Sequence, residues 1–155
     1  MLDNLGNLTR THYCGNLNTE HIGQEVTVMG WVNKRRDLGG LIFIDLRDIQ
    51  GILQVVIRPE KPEIFAKAEK VRNEYVIAVR GKICARTEPN INPNLPTGKI
   101  ELEAEEFYIL NDAQPLPVQF SEVAMAEEDL RLAYRYLDLR RPKLQKIIIT
   151  RHRIM

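Results

Sequence analysis

The stretch GWVNKRRDLGGLIFIDLRDIQGILQVV, residues 30–56, carries the strand pattern that decides the fold. Apolar and other side chains alternate along residues 41–47 with a period of two, which is typical of a half-buried β-strand. The apolar face of this strand holds Ile42, Ile44 and Leu46. Phe43 lies on the opposite face, and the same alternation along residues 52–58 puts Gln54 opposite the apolar side chains of its own strand. We therefore expect Phe43 and Gln54 to be neighbours on one exposed sheet surface.

The spacing of apolar side chains along the rest of the chain predicts five strands and one helix in total. The strands are expected at residues 25–36, 41–48, 52–58, 75–86 and 99–110. A helix is expected at residues 61–73, where apolar side chains recur at helical spacing and Pro62 stands near the first turn. Three strands, a helix and two strands is the order of a five-stranded OB-fold Greek-key barrel, so we predict a mostly β protein of this class. In such barrels the second and third strands and their loops usually bind oligonucleotides.

Phe43 and Gln54 have the chemistry of a site for an unpaired base. An aromatic ring offers a stacking surface, an amide can read a base edge, and nearby cations can contact phosphates. The cations would come from the end of the preceding strand, where Lys34, Arg35 and Arg36 follow one another. The alternative is structural, with Phe43 packed under a loop or a helix.

Composition narrows the function classes further. The chain has 155 residues, 44% of them hydrophobic, and a net charge of +1, whereas proteins that coat nucleic acid without specificity are usually strongly basic. It lacks a signal-peptide core and any apolar run near the roughly 20 residues needed to cross a membrane, so we expect a cytoplasmic location. Cys14 and Cys84 form no CxxC pattern and are expected to be free thiols. The three histidines lack metal-ligand spacing, and we predict no metal site.

Four segments carry a family resemblance. They are RTHYCG at residues 10–15, GWVNKRRDLGGLIFIDLRD at 30–48, NPNLPTG at 92–98 and RYLDLRRP at 135–142. Together, in this order and spacing, they resemble the N-terminal region of bacterial-type aspartyl-tRNA synthetase, a class II aminoacyl-tRNA synthetase. One such segment alone would be weak evidence, but four argue against a different OB-fold family.

The resemblance implies a domain that binds the anticodon of tRNA-Asp, whose three bases are G, U and C. Phe43 matches the aromatic residue that stacks on the central uridine, and Gln54 matches the amide that reads it. Glu101 matches a carboxylate near the first base, where it could accept from guanine N1–H and N2–H. Without the resemblance, a strand Glu or Arg is more often part of a solvated face or a cross-strand ion pair than of a binding site.

The resemblance also implies further tRNA contacts. Residues near the third base, cytosine, would be Arg86, Asn90 and Asn92. Residues that position the tRNA backbone and bases would be Arg35, Arg36 and Arg72. Two loop residues, Leu38 and Pro89, match positions that tune discrimination between tRNA-Asp and tRNA-Asn. Leu38 favours discrimination, whereas Pro89 fits neither pattern, so binding of tRNA-Asn stays open.

The expected domain organisation is an OB-fold anticodon-binding domain at 1–111, a hinge region at 112–141 and the start of a class II catalytic domain at 142–155. In the full-length parent, ATP and Mg²⁺ would support ligation of aspartate to tRNA, and the catalytic domain would form a homodimer. We expect this chain to lack catalytic residues and cofactors and to bind tRNA only. In residues 142–155, Leu144, Ile147 and Ile148 recur at the spacing of one helical face. We expect this tail either to be disordered in a monomer or to be helical and packed against another copy or the barrel surface, since an exposed apolar stripe tends to find a partner.

Two other functions stay open at this point. A general single-stranded nucleic-acid-binding OB module would share the stacking ring and the cations, but it would not need Glu101 to face a base. A non-binding interaction module would keep the barrel without its base-reading residues.

Overall fold

The computed structural model describes residues 2–117 and 128–155. The chain forms two compact units, Met1–Gln114 and Pro115–Met155, which are described separately. Part of the predicted hinge, residues 118–127, lies outside the described residues. The expected domain boundaries stay predictions.

The first unit is a closed five-stranded barrel, and the predicted OB-fold is confirmed. Its elements are β1 (Glu25–Leu38), β2 (Leu41–Arg47), β3 (Ile52–Ile57), α1 (Pro62–Lys70), β4 (Val76–Ala85) and β5 (Ile100–Asn111). Around the barrel the strands follow the order β1-β2-β3-β5-β4, and β4 pairs with β1 to close it. Neighbouring strands are antiparallel except for β3 and β5, which are parallel.

Branched apolar side chains fill the barrel interior, as the alternation of the strands predicts. In β2 the inward residues Ile42, Ile44 and Leu46 have no exposed surface. Leu53 and Val55 of β3 are equally buried. Because β-branched and leucine side chains pack well on a pleated surface, these residues form one continuous core.

Two glycines allow the strands to approach closely where the barrel bends. A side chain at Gly30 would collide with the backbone carbonyl of Arg47, and one at Gly81 with that of Glu103. Gly81 also lies next to a shift in the register between β4 and β5. Glycine within a strand is typical of such bends in small barrels.

Helix α1 lies between β3 and β4 and covers part of the core. Ala68 is fully buried, while Ile64 and Phe65 pack against the core from the same side. Pro62 occupies the first turn as predicted. The helix is shorter than the predicted 61–73, because the backbone becomes extended at Val71, whose buried side chain belongs to the core.

The second unit contains helices α2 (Glu128–Ala133), α3 (Arg135–Asp138) and α4 (Pro142–Ile154). The Asp138 carboxylate, 1% exposed, pairs with three arginines at N···O distances of 2.7 to 3.6 Å: Arg131, Arg135 and Arg141. Of the two alternatives for residues 142–155, the structure shows the helical one, α4. Its residues Ile147 and Ile148 are about half exposed.

Cys14 and Cys84 are both free thiols, as predicted. Among the described residues, no helix combines the length and the apolar character required for a membrane span.

Candidate nucleic-acid interface

The outer face of β2 places Phe43 and Asp45 next to side chains of both neighbouring strands. In the strand register, Phe43 lies opposite Arg36 of β1 and Val56 of β3. Asp45 lies opposite Gln54 of β3. Phe43 and Gln54 are thus diagonal neighbours on one face, as expected. Phe43 is half-buried and does not belong to the core cluster, which argues against the structural alternative.

A chain of polar contacts crosses this face. Arg36 Nη2 donates to Asp45 Oδ1 at 2.7 Å and to Gln54 Oε1 at 3.3 Å. Gln54 Nε2 then donates to Glu101 Oε2 at 3.0 Å. Because the amide has a cation at its oxygen and a carboxylate at its nitrogen, its orientation is fixed by charge. Strands β1, β2, β3 and β5 therefore contribute to one connected site.

Arg86 closes the chain of contacts at the end of β4. Its side chain is only 3% exposed, and Nε donates to the backbone carbonyl of Ile100 at 2.9 Å while lying 3.8 Å from Glu101 Oε2. Burial lowers the pKa of the guanidinium, and the charges of Glu101 and Asp45 oppose that shift. Arg86 Nη2 is buried without a hydrogen-bond partner. Such an orphaned donor is costly, and a bound acceptor would satisfy it.

The expectation that Gln54 lies on an exposed surface is wrong. Gln54 is 7% exposed, and Val56 on the same face is 2% exposed. The physical reason is that β3 lies between β2 and β5, and Arg36 and Glu101 contact the two ends of the Gln54 amide. Phe43 and Gln54 share a face, but Phe43 is only partly buried whereas Gln54 is buried.

Two predicted arginines lie away from this cluster. Arg35 precedes Arg36 and alternates with it along β1, opposite Ile44 rather than Phe43. Its Nε donates to the backbone carbonyl of Ala68 near the end of α1 at 3.0 Å. Its Nη2 is 3.5 Å from Asp37. Arg72 is exposed in the segment after α1. The structure thus brings together Arg36, Phe43, Gln54, Arg86 and Glu101, but it does not bring Arg35 or Arg72 to them.

The asparagines of the β4–β5 loop shape the loop itself. Asn90 Nδ2 donates to Thr87 Oγ1 at 2.8 Å, and the Asn90 backbone carbonyl accepts from Arg86 Nη1 at 3.4 Å. Asn92 Oδ1 accepts from the backbone N–H of Asn94 at 3.0 Å. Through Arg86, this loop is therefore tied to the polar cluster.

The two predicted discrimination residues lie in separate loops. Leu38, 60% exposed, stands at the tip of the β1–β2 hairpin, next to two glycines with positive φ. Pro89 is exposed in a short 3₁₀ helix of the β4–β5 loop, Glu88–Asn90.

Sequence reasoning did not single out Asp45 as a site residue. The signal was present, because Asp45 follows Phe43 by two positions and must share its face. Within residues 2–117 and 128–155, no group of histidine, cysteine or acidic side chains is arranged to hold a metal ion.

A family model described as an OB-fold nucleic acid binding domain of the tRNA anticodon type matches residues 26–110. The chain belongs to this family. The matched residues include the whole polar cluster and run through most of the barrel.

Curated relatives are about half identical to this chain over the part of them that it covers. The aspartate–tRNA(Asp/Asn) ligase of Halothermothrix orenii is 52% identical over 100% of this chain and 26% of the relative. The ligase of the same name from Moorella thermoacetica is 53% identical over 99% of this chain and 26% of the relative. The predicted resemblance is confirmed, and the chain spans about a quarter of the length of these relatives.

Solved structures show the same fold. The asparaginyl-tRNA synthetase of Pyrococcus horikoshii matches with a TM-score of 0.74 and 29% identity, over 88% of this chain and 31% of that one. An aspartyl-tRNA synthetase from Entamoeba histolytica matches with a TM-score of 0.78 over 94% of this chain and 35% of that one. Because its identity is only 21%, the second match shows a common fold and nothing more.

Proposed function

We propose that this chain binds the anticodon loop of tRNA-Asp through the outer face of β1, β2, β3 and β5. The observation that carries the proposal is the accessible Phe43 ring beside the Arg36–Gln54–Glu101 chain of hydrogen bonds. A ring next to a fixed amide and a carboxylate can stack one unpaired base and read the edges of two. Membership of an anticodon-binding OB-fold family supports the same function.

Gln54 suits the central uridine because its amide keeps one acceptor and one donor free. Its oxygen accepts one hydrogen bond from Arg36 and retains a second lone pair. Its nitrogen donates one N–H to Glu101 and retains the other. Uridine offers N3–H and O4 in the complementary arrangement, and Phe43 would stack on its ring.

Glu101 suits guanine at the first anticodon position. Its Oε2 accepts from Gln54, and a carboxylate has further acceptor sites for guanine N1–H and N2–H. Arg86 Nη2, buried and without a partner, would donate to an acceptor of the third base, cytosine. Asn90 and Asn92 would contribute through the loop that they shape, and Arg35 and Arg72 through the tRNA backbone.

The relatives are about four times as long as this chain and are named as aspartate–tRNA ligases. We propose that a protein of that length containing this chain ligates aspartate to tRNA. ATP and Mg²⁺ would be bound by parts of that protein beyond this chain, since the described residues offer no carboxylate cluster for the metal. This chain alone would bind tRNA without ligating it. Acceptance of tRNA-Asn is a second possible specificity, in line with the Asp/Asn names of the relatives.

Filter binding of the 155-residue chain to tRNA-Asp, and to the same tRNA with a substituted anticodon, tests the proposal. We expect the anticodon substitution to weaken binding by at least about tenfold, the equivalent of one lost charge-assisted hydrogen bond. Equal affinity for the two tRNAs would instead indicate a general single-strand-binding module. Absence of binding to either would indicate an interaction module.

A further inference from the structure

We infer that Asp45 is a positioning residue for base selection: by holding Arg36, it fixes which end of the Gln54 amide presents oxygen and which presents nitrogen to a base. This inference rests on the proposed anticodon function and deepens it. It concerns a residue that neither the strand pattern nor the family resemblance marked as part of the site.

The geometry links Asp45 to the amide through a single nitrogen. Arg36 Nη2 is 2.7 Å from Asp45 Oδ1 and 3.3 Å from Gln54 Oε1. The shorter contact joins two opposite charges, and it anchors the guanidinium. Asp45 is only 19% exposed at its side chain, against 37% for Arg36. The shorter and more buried carboxylate therefore holds the longer and more exposed cationic side chain in place.

The amide orientation matters because uridine and cytosine present opposite patterns. Uridine offers a donor at N3 and an acceptor at position 4, whereas cytosine offers an acceptor at N3 and a donor at position 4. A glutamine amide rotated by half a turn would exchange its donor and acceptor and would then fit cytosine. Arg36 at Oε1 and Glu101 at Nε2 both oppose that rotation.

Loss of Asp45 would release one of these two restraints and would also leave the Arg36 charge unpaired. The released guanidinium could turn away from Gln54 and contact phosphate, which attracts cations regardless of sequence. We therefore expect a specific pattern: weaker preference for uridine, with equal or stronger binding of the mismatched RNA. Damage to the fold would instead weaken both complexes.

Arg35 and Asp37 provide a matched control. They form an ion pair on the same strand at 3.5 Å, but Arg35 donates to the Ala68 carbonyl near α1 rather than to the reading amide. Removing Asp37 takes away one exposed carboxylate beside an arginine without touching the Gln54 contacts. Its effect on general electrostatic attraction should resemble that of removing Asp45.

The experiment compares anticodon stem-loop RNAs with GUC and GCC as the anticodon, bound to the full chain and to Asp45→Ala, Asp45→Asn and Asp37→Ala variants. We expect the GUC-over-GCC affinity ratio to fall about tenfold in Asp45→Ala. It should fall about threefold in Asp45→Asn, which keeps an oxygen acceptor for Arg36. Asp37→Ala should retain the ratio of the unmodified chain. Thermal unfolding checks that each variant is folded, and Asp45→Asn decides the question if Asp45→Ala does not fold.

One result would overturn the inference. An unchanged GUC-over-GCC ratio in both Asp45 variants, whether or not the two affinities fall together, would show that Asp45 has only a structural role. If the unmodified chain itself does not prefer GUC, the proposed function fails and this inference falls with it. Failure of the inference alone is recognised by a strong GUC preference that survives every Asp45 substitution.

Discussion

On the inner face of β2, Ile42, Ile44 and Leu46 have no exposed surface, whereas on the outer face Phe43 and Asp45 remain partly accessible. The inner side chains belong to the buried apolar core. On the outer face, Asp45 takes part in a series of hydrogen bonds that also includes Arg36, Gln54 and Glu101. Since the two sets alternate along one strand, substitutions one residue apart should separate stability from binding.

The largest expected effect is on the inner face. Ile44→Ala should lower the free energy of unfolding by about 2 to 5 kcal/mol, because it removes buried methyl groups and leaves a cavity in a closed barrel. Urea unfolding followed by circular dichroism measures the change. A loss below about 1 kcal/mol would mean that the two faces do not differ as described.

Substitution of the adjacent outer residue, Phe43, should reduce tRNA affinity more than it reduces stability. Phe43→Ala should weaken tRNA-Asp binding by about 1 to 3 kcal/mol through the loss of one stacking surface. It should lower unfolding free energy by much less than Ile44→Ala, since the ring does not belong to the core cluster. Strong destabilisation with unchanged tRNA affinity would show that Phe43 stabilises the fold and does not stack on a base.

A substitution at Glu101, which accepts a hydrogen bond from Gln54 on the outer face, tests base selectivity. Glu101→Gln replaces one acceptor by a donor that must face the guanine donors, so it should weaken binding of the normal anticodon by about 1.5 kcal/mol. A tRNA substituted at the first anticodon base should lose less. Titration of both tRNAs by fluorescence anisotropy gives the two values, and equal losses would exclude direct reading by Glu101.

The smallest expected effect lies away from both faces, where Asp3 attaches the N-terminal segment to the barrel. Burial raises the pKa of the Asp3 carboxyl, but hydrogen bonds from Lys67 Nζ at 2.8 Å and from the Ile109 N–H at 2.9 Å outweigh it, so the pKa lies below its ordinary value. A lowered folded-state pKa contributes stability above about pH 4, and this contribution is lost as pH falls through the folded pKa.

Asp3→Asn should therefore cost less than about 1 kcal/mol at neutral pH, because the ion pair is partly exposed. The difference from the unmodified chain should shrink in strongly acidic buffer. Thermal melts at a series of pH values test this, and tRNA affinity should not change. A deficit that is constant with pH would show that the ionised carboxylate is not the cause.

Local alternation was sufficient to predict the strands, their inner faces and the position of Phe43. It works because a strand has a side-chain period of two wherever one face is buried. The burial of Gln54 was not predictable in this way, since it depends on Arg36 and Glu101, which reach it from β1 and β5. The Asp3 contact to Ile109 joins residues far apart in sequence, and the N-terminal sequence carries no pattern that indicates it.

The family resemblance supplied the candidate residues, but only the fold shows which of them lie together. Arg35 and Arg36 are adjacent in sequence, yet one contacts the Ala68 carbonyl near α1 and the other the reading amide. The decisive partner of Arg35 belongs to a helix that follows β3, so its role depends on tertiary structure. For Asp45, the pattern indicated the correct face but not the contact with Arg36.

The central claim is that the outer face of β1, β2, β3 and β5 binds the anticodon. NMR titration of the isotopically labelled chain with a GUC anticodon stem-loop tests it most directly. The account predicts that the largest amide shift changes fall at Phe43, Gln54 and Glu101 and in the β4–β5 loop, with little change at Ile147 and Ile148 in α4. Saturable binding with the largest changes elsewhere, and none on this face, would contradict it.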